Sequence, residues 1–181
     1  MKRLVLLLAL LSCSAYGEME KFALPCTSSP NICFFWWPKL PAVTGWHHER
    51  NQSYNISANA LAPDGSTFVD AETVMYAEAL YKPRIPDTKS LEVLIDDDKK
   101  KFRTSTPGVL ISEVAPLTTA DGQKLRSLTF FPTAKGNWER VSYGEEGEFY
   151  LVFTISSRSK AGYDKAMLAY ESLIHAYKEK F

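Results

Sequence analysis

Three cysteines, three histidines and no surplus of charge leave this 181-residue chain short of the side chains on which most enzymes and metal proteins depend. Lysine plus arginine and aspartate plus glutamate number 21 each, which gives no electrostatic reason to expect nucleic acid or an anionic membrane surface as a partner. The chain has no Gly-x-Ser-x-Gly elbow and no phosphate loop; Gly108, Gly122 and Gly136 stand singly as turn glycines. Its longest apolar run, Leu4–Leu11, has eight residues, against the roughly 20 needed to span a bilayer. No internal repeat or low-complexity tract is present. What the chain does have is 45% hydrophobic and 13% aromatic residues, which exclude a disordered chain and supply one proper core.

The first seventeen residues are expected to be an address. Lys2-Arg3 form a basic start, Leu4–Leu11 the apolar stretch, and Ala15-Tyr16-Gly17 a small-x-small cleavage site before Glu18. Leu10-Leu11-Ser12-Cys13 also resembles a lipobox, so two destinations stand open: free export to the periplasm or medium, and lipid anchoring through Cys13. The short basic start looks bacterial, so the sequons Asn51-Gln-Ser53 and Asn55-Ile-Ser57 are expected to stay unmodified. Loss of residues 1–17 removes two basic and no acidic side chains, leaving a net charge of −2. The remainder has the length of one ordinary domain.

Export makes the other cysteines legible. Cys26 and Cys33 form an even pair in an oxidising compartment, and a disulfide between them is the expected outcome. Closing that eight-residue loop removes about 2.5 kcal/mol of unfolded-chain entropy, and Pro30-Asn31 supplies the reversal. A redox pair would favour Cys-x-x-Cys spacing, and a zinc clip would need two further ligands close by.

Residues 18–44 read as an N-terminal arm. Phe34-Phe35-Trp36-Trp37 lies between Pro38 and the staple, and four aromatics bounded by proline are not expected inside a helix or a central strand. Two roles compete for them. They form an exposed platform for a glycan or a partner, or they cap the core and shield one sheet edge.

The domain proper is expected over 45–181. Ser53–Leu61 alternates apolar and polar residues as a strand does, with Pro63-Asp64-Gly65 as the turn that follows. Thr73–Tyr81 is read as a strand pairing back on it. Pro86-Asp87-Thr88 opens a helix over about 88–103 with Asp87 or Thr88 as cap, its apolar stripe running through Leu91, Leu94, Ile95 and Phe102. Across its outer face, Asp96 with Lys100 and Asp97 with Lys101 are spaced for ion pairs on a solvated surface; the run lacks the alternation, central glycine and terminal glutamate of a calcium loop. Four strands follow, Val109–Leu117, Gln123–Phe131, Trp138–Tyr143 and Phe149–Ser156, with turns at Asp121-Gly122 and Gly144–Gly147. The last strand is apolar on both faces and needs cover on both sides. A closing helix over about 160–179 presents Tyr163, Met167, Tyr170, Leu173, Ile174 and Tyr177. The expected fold is α+β, one central antiparallel sheet of about six strands with helices on both faces, an α/β/α sandwich.

This order of elements, with Trp138 entering the penultimate strand and Tyr163, Tyr170 and Tyr177 on the closing helix, resembles the PsbP-like superfamily of PsbP, Mog and DcrB types over about residues 45–180. The resemblance implies a sandwich fold and a non-catalytic life of docking to larger assemblies. Partners differ between members, so it does not imply which one is bound here.

The functional expectation is therefore an exported, non-catalytic envelope protein that binds another protein or complex, with no catalytic residues, no metal and no cofactor. Its binding residues are expected among Trp36, Trp37, His47 and His48, in the stretches 34–40 and 45–50. Two alternatives remain. His47-His48-Glu49, with His175 as the one other histidine, forms a metal or small-ligand site, although adjacent histidines on a strand point to opposite faces. The other is a periplasmic enzyme of unrecognised type.

Overall fold

The computed structural model describes residues 19–26 and 30–178; the expected leader over 1–17, with Cys13, lies outside the described residues. Along the chain run β1 (Met19–Pro25), β2 (Ile32–Pro38), β3 (Trp46–His48), α1 (Arg50–Ile56), β4 (Asn59–Pro63), β5 (Thr73–Tyr81), a 3-10 turn (Lys82–Arg84), α2 (Leu91–Ser105), β6 (Leu110–Thr118), β7 (Lys124–Phe131), β8 (Trp138–Glu146), β9 (Phe149–Ser157) and α3 (Lys160–Ala176). The chain is α+β, and its described residues build one antiparallel sheet of nine strands rather than the expected six.

The sheet order is β1-β2-β5-β9-β8-β7-β6, with β4 also on β5 and β3 on β4. β9 sits near the middle, and its two apolar faces have separate destinations. Leu151, Phe153 and Ile155 join Tyr163, Tyr170, Leu173 and Ile174 of α3 in one buried cluster. Tyr150 and Val152 join Leu94 and Ile95 of α2 in another. Residues of opposite parity on a strand point to opposite faces, so α2 and α3 cover opposite sides of the sheet. The Tyr170 hydroxyl donates to the Phe153 carbonyl and lies 2.8 Å from the Ser142 hydroxyl, which satisfies a phenol with no exposed surface.

Against its free edge, β5 accepts two partners, and there the sheet forks. Met75 to Ala77 pair with Leu61 to Asn59 of β4, whereas Ala79 alone pairs with Trp36 of β2. The expected strand over Ser53–Leu61 is corrected here. Residues 50–56 are helical, Ser57 takes a left-handed conformation (φ 56°), and extended chain begins only at Asn59. A short alternating run fits a helix nearly as well as a strand; Tyr54 settles it by packing on Phe22 and Trp37. The Ser53 hydroxyl donates to the Glu49 carbonyl and accepts from the Ala60 N–H, tying that helix to β4.

Residues 32–38 form a strand, paired along its length with β1 and at one position with β5, so the four aromatics do sit inside the sheet, against the expectation from their bounding prolines. Pro38 stands at the end of β2 and Pro25 at the end of an edge strand, where no ladder donor is missed. Smaller corrections concern helix α2 and the last turns. Ser90, not Asp87 or Thr88, caps α2 by accepting from the Val93 N–H. The ion pairs are Asp96–Lys99, Asp97–Lys100 and Asp98–Lys101, three residues apart rather than four. β8 continues through Gly144 to Glu146, and the turn is made at Gly147 (φ 52°). Gly144 lies inside the strand because the Leu125 side chain occupies the space a Cβ would need.

Cys26 and Cys33 are joined by a disulfide with their Cα atoms 5.0 Å apart, at the turn of the β1–β2 hairpin. Exported protein is expected to contain no free thiol at these positions. Intact mass should rise by two hydrogens on reduction, and alkylation of both cysteines in unreduced protein would contradict the bond.

Candidate functional site

The hairpin β1–β2 presents one face to solvent. Ile32, Phe34 and Trp36 alternate along β2, opposite Pro25, Ala23 and Lys21 of β1 in the pair register. Paired positions share a face, so these six side chains form one patch. Ile32 and Phe34 are 58% and 42% exposed, unusual for side chains of this size, and Lys21, Ala23 and Pro25 are exposed as well. Trp36 is half-buried, its ring against Tyr81 and Phe149 at centroid distances of 4.9 and 5.9 Å.

Beside the patch, β2 and β5 part after a single paired position, leaving a cleft of about 300 Å³ lined by Phe34, Phe35, Trp36, Leu80, Tyr81 and Arg84 among others. Arg84 fills part of the gap by donating to the Phe34 carbonyl, with its guanidinium 5.5 Å from the Trp36 ring centre. Lys21 stands 4.2 Å from the centre of the Phe34 ring. The result is an aromatic surface flanked by two cations, positioned by a cross-linked hairpin.

Trp37 faces the other way. It is 2% exposed, its ring tilted against Phe22 at a centroid distance of 3.9 Å, and it donates its indole N–H to Glu20. The two tryptophans expected to act together therefore part company: Trp36 reaches the surface cleft and Trp37 belongs to the core. Trp37 and His48 do line a second cleft of about 350 Å³ with Glu20, Lys39 and Arg50, between the branches of the fork. There the His48 Nδ1 meets the Asn59 side-chain oxygen at 3.0 Å, and Glu20 receives both Trp37 and Arg50, so most of its polar groups already have partners.

The three histidines do not converge. His47 lies 3.2 Å from Glu49 and 3.5 Å from Asp64, His48 turns to Asn59, and His175 meets the Thr118 carbonyl from α3. Among the described residues no group of three His, Cys, Asp or Glu side chains is placed to hold a metal ion.

A third feature lies under α2 and went unread in the sequence. A cavity of about 250 Å³ is lined by Tyr76, Glu78 and Leu80 of β5, Val141 of β8, Val152 and Thr154 of β9, and Asp98, Lys101 and Phe102 of α2. The Glu78 carboxyl makes no hydrogen bond among the described residues. Burial, and then the charge of Asp98, push it up to about 7, with Lys101 offsetting part of the effect. Tyr76 is raised for the same first reason, burial, with Thr154 opposing. Asp98 is only 18% exposed and so belongs to this cavity rather than to the solvated face expected of 96–101. The Tyr143 hydroxyl is buried without a full hydrogen bond, within electrostatic reach of Asp98. The one sequence signal was a glutamate inside an otherwise apolar strand, Ala77-Glu78-Ala79-Leu80.

No protein-family model matches the chain, and no curated protein matches it.

Proposed function

We propose that the protein is an exported, non-catalytic module that docks a partner protein of the cell envelope on the solvent face of the β1–β2 hairpin. The observation that carries this reading is the pair Ile32 and Phe34, left exposed beside the half-buried Trp36 on a strand whose opposite face is packed. Aromatic anchors surrounded by a polar rim are the usual energetic centre of a protein interface. A disulfide across the hairpin turn holds the anchors in place before binding, which lowers the entropic cost of association. Lys21 and Arg84 at the rings favour a partner segment with an apolar anchor beside acidic residues. The single sheet, with α2 and α3 on opposite sides, supports reading residues 45–181 as a PsbP-like sandwich, and a structural disulfide supports export to the periplasm or beyond.

Affinity capture from an envelope extract, followed by crosslinking to identify direct contacts, tests the proposal. The pair Ile32→Ser with Phe34→Ser is expected to lower capture at least tenfold, as loss of two hot-spot side chains should. Its melting temperature should stay within a few degrees of the parent's, because these side chains are already exposed. Undiminished capture by a folded double variant would reject the hairpin as the docking face.

A further inference from the structure

With the hairpin taken as the docking face, a reading on which this step rests, we propose that the partner adds an extended strand to the open edge of β1. Main-chain hydrogen bonds then join the aromatic patch in holding it. The Cys26 N–H donates to the Asn31 carbonyl at 2.9 Å, one step beyond the Pro25–Ile32 pair. Pairs in an antiparallel ladder alternate between bonded and unbonded. Glu20, Phe22 and Leu24 therefore turn their N–H and C=O groups toward β2, while Met19, Lys21 and Ala23 turn theirs outward, as Pro25 turns its carbonyl. No described strand lies beyond β1. The outward groups of Lys21, Ala23 and Pro25 belong to the residues whose side chains border the exposed patch.

The two ends of the sheet differ. At the far end β6 is guarded: its register shifts between Val114 and Leu117, Pro116 lies in the break, and Arg140 already holds the Ala115 carbonyl at 2.9 Å. β1 pairs without a shift from Met19 to Pro25. Its exposed charged side chain, Lys21, leans back over Phe34 and Trp36 of β2, 4.2 and 5.6 Å from the ring centres, instead of across the open edge. A strand laid there continues the sheet and brings every second side chain onto the patch.

The chemistry of the face selects the occupant. Lys21, Ala23, Pro25, Ile32, Phe34 and Trp36 include a cation and no acid, and Arg84 adds a second cation. A second copy of this chain would bring another Lys21 and no carboxylate to meet it. Its Glu20 lies on the opposite face, held by Trp37 and Arg50. The fit is a strand of a different protein, with an acidic residue beside Lys21 and, two positions along, a large apolar residue beside Ala23. There only a methyl group separates the incoming side chain from the Phe34 ring.

The test is NMR titration of isotopically labelled exported protein with the blocked peptide acetyl-Thr-Asp-Thr-Phe-Thr-Asp-Thr-amide, which reads alike in both directions. A dissociation constant of about 1 mM is expected. Saturable shifts should appear at the Lys21 and Ala23 amides, with much smaller ones at Phe22 and Leu24, which already face β2. N-methylation of the peptide's Phe and Asp amides blocks antiparallel addition, and N-methylation of its Thr amides blocks parallel addition, with every side chain kept. One of the two isomers should bind at least about tenfold more weakly than the parent peptide. Ala23→Pro removes an outward N–H and leaves the β2 ladder whole, so it should weaken the parent peptide as much while melting within a few degrees of the wild type. No saturable shift at about 10 mM peptide, binding by both methylated isomers equal to the parent's, or self-association of the protein through β1 in place of peptide binding would each overturn strand addition. None of these results touches the hairpin as a docking face, which stands or falls on capture by the Ile32→Ser with Phe34→Ser variant. The methylated peptides decide the matter even if Ala23→Pro does not fold.

Discussion

Trp37→Ala is expected to cost about 3–5 kcal/mol of stability, the range for removing a large aromatic from a packed core. In a domain of this size each kcal/mol moves the melting temperature by about 2–4 °C, so a fall of roughly 6–20 °C should appear in a thermal scan. Three observations place Trp37 in that class: 2% exposure, a ring centroid 3.9 Å from that of Phe22, and Tyr54 at 5.4 Å from both rings. The variant also strands Glu20, which keeps only its exposed pair with Arg50. Because Tyr54 holds α1 against the hairpin, the fork between β2 and β4 should loosen first, visible as earlier amide exchange over 50–56. A Trp37→Ala protein melting within two or three degrees of the parent would contradict the packing described. Trp36→Ala makes the natural comparison. Its ring is half-exposed, so its loss should cost clearly less stability and act chiefly on partner capture.

Glu78→Gln is expected to stabilise the protein at alkaline pH and to do little at acid pH. Burial and the neighbouring Asp98 raise the carboxyl from 4.5 in the unfolded chain to about 7 in the fold. A carboxyl raised on folding favours the native state while it is protonated. That contribution is fully present below about pH 4.5, is lost as pH climbs toward 7, and is absent above it. One pKa unit corresponds to about 1.4 kcal/mol, so the full swing is on the order of 2–3 kcal/mol once the residue's partial exposure is discounted. Glutamine keeps the shape of the neutral acid and cannot ionise. Denaturant titrations at about pH 4.5 and pH 8 should therefore show nearly equal stabilities at the first and a gain of that size for the variant at the second. Glu139 is also raised, chiefly by burial, with Ser156 and Asn137 opposing. It shifts the parent and the variant alike, so the difference between their curves reports Glu78. A parallel pair of curves across this range would show that Glu78 keeps its charge in the fold.

Much of this architecture was readable from pattern alone. The meander β6 to β9 followed from runs of apolar and aromatic residues broken by Asp121-Gly122 and by Gly144–Gly147, of which only Gly147 makes the turn, and α3 from its stripe of Tyr163, Tyr170, Leu173 and Ile174. The doubly apolar β9 foretold cover on both sides, because a strand cannot leave Tyr150 and Val152 in water while burying Leu151 and Phe153. The cysteine pair was legible for a simpler reason: closing a short loop makes few demands on the rest of the chain. These features are local or depend on one periodicity, and local chemistry decides them.

The functional surfaces were not local. Phe34 to Trp37 form a run of four aromatics whose composition says nothing about which rings are buried; pairing with β1 and β5 sends Trp37 inward, leaves Phe34 exposed and sets Trp36 half-buried between them. Residues 50–56 became a helix because Tyr54 finds Trp37 and Phe22, partners 17 and 32 positions away, and that contact outweighs a weak alternation. Glu78 looked like one polar residue in a strand until β9 and α2 closed over it and withdrew the water that would have kept it an ordinary acid. The sequence by itself determined the elements from Thr73 onward, their order and the staple, since each rests on interactions between near neighbours. Only the tertiary structure decided which aromatic is an anchor and which is core, and which carboxyl titrates near neutrality, because burial is a property of how distant segments meet.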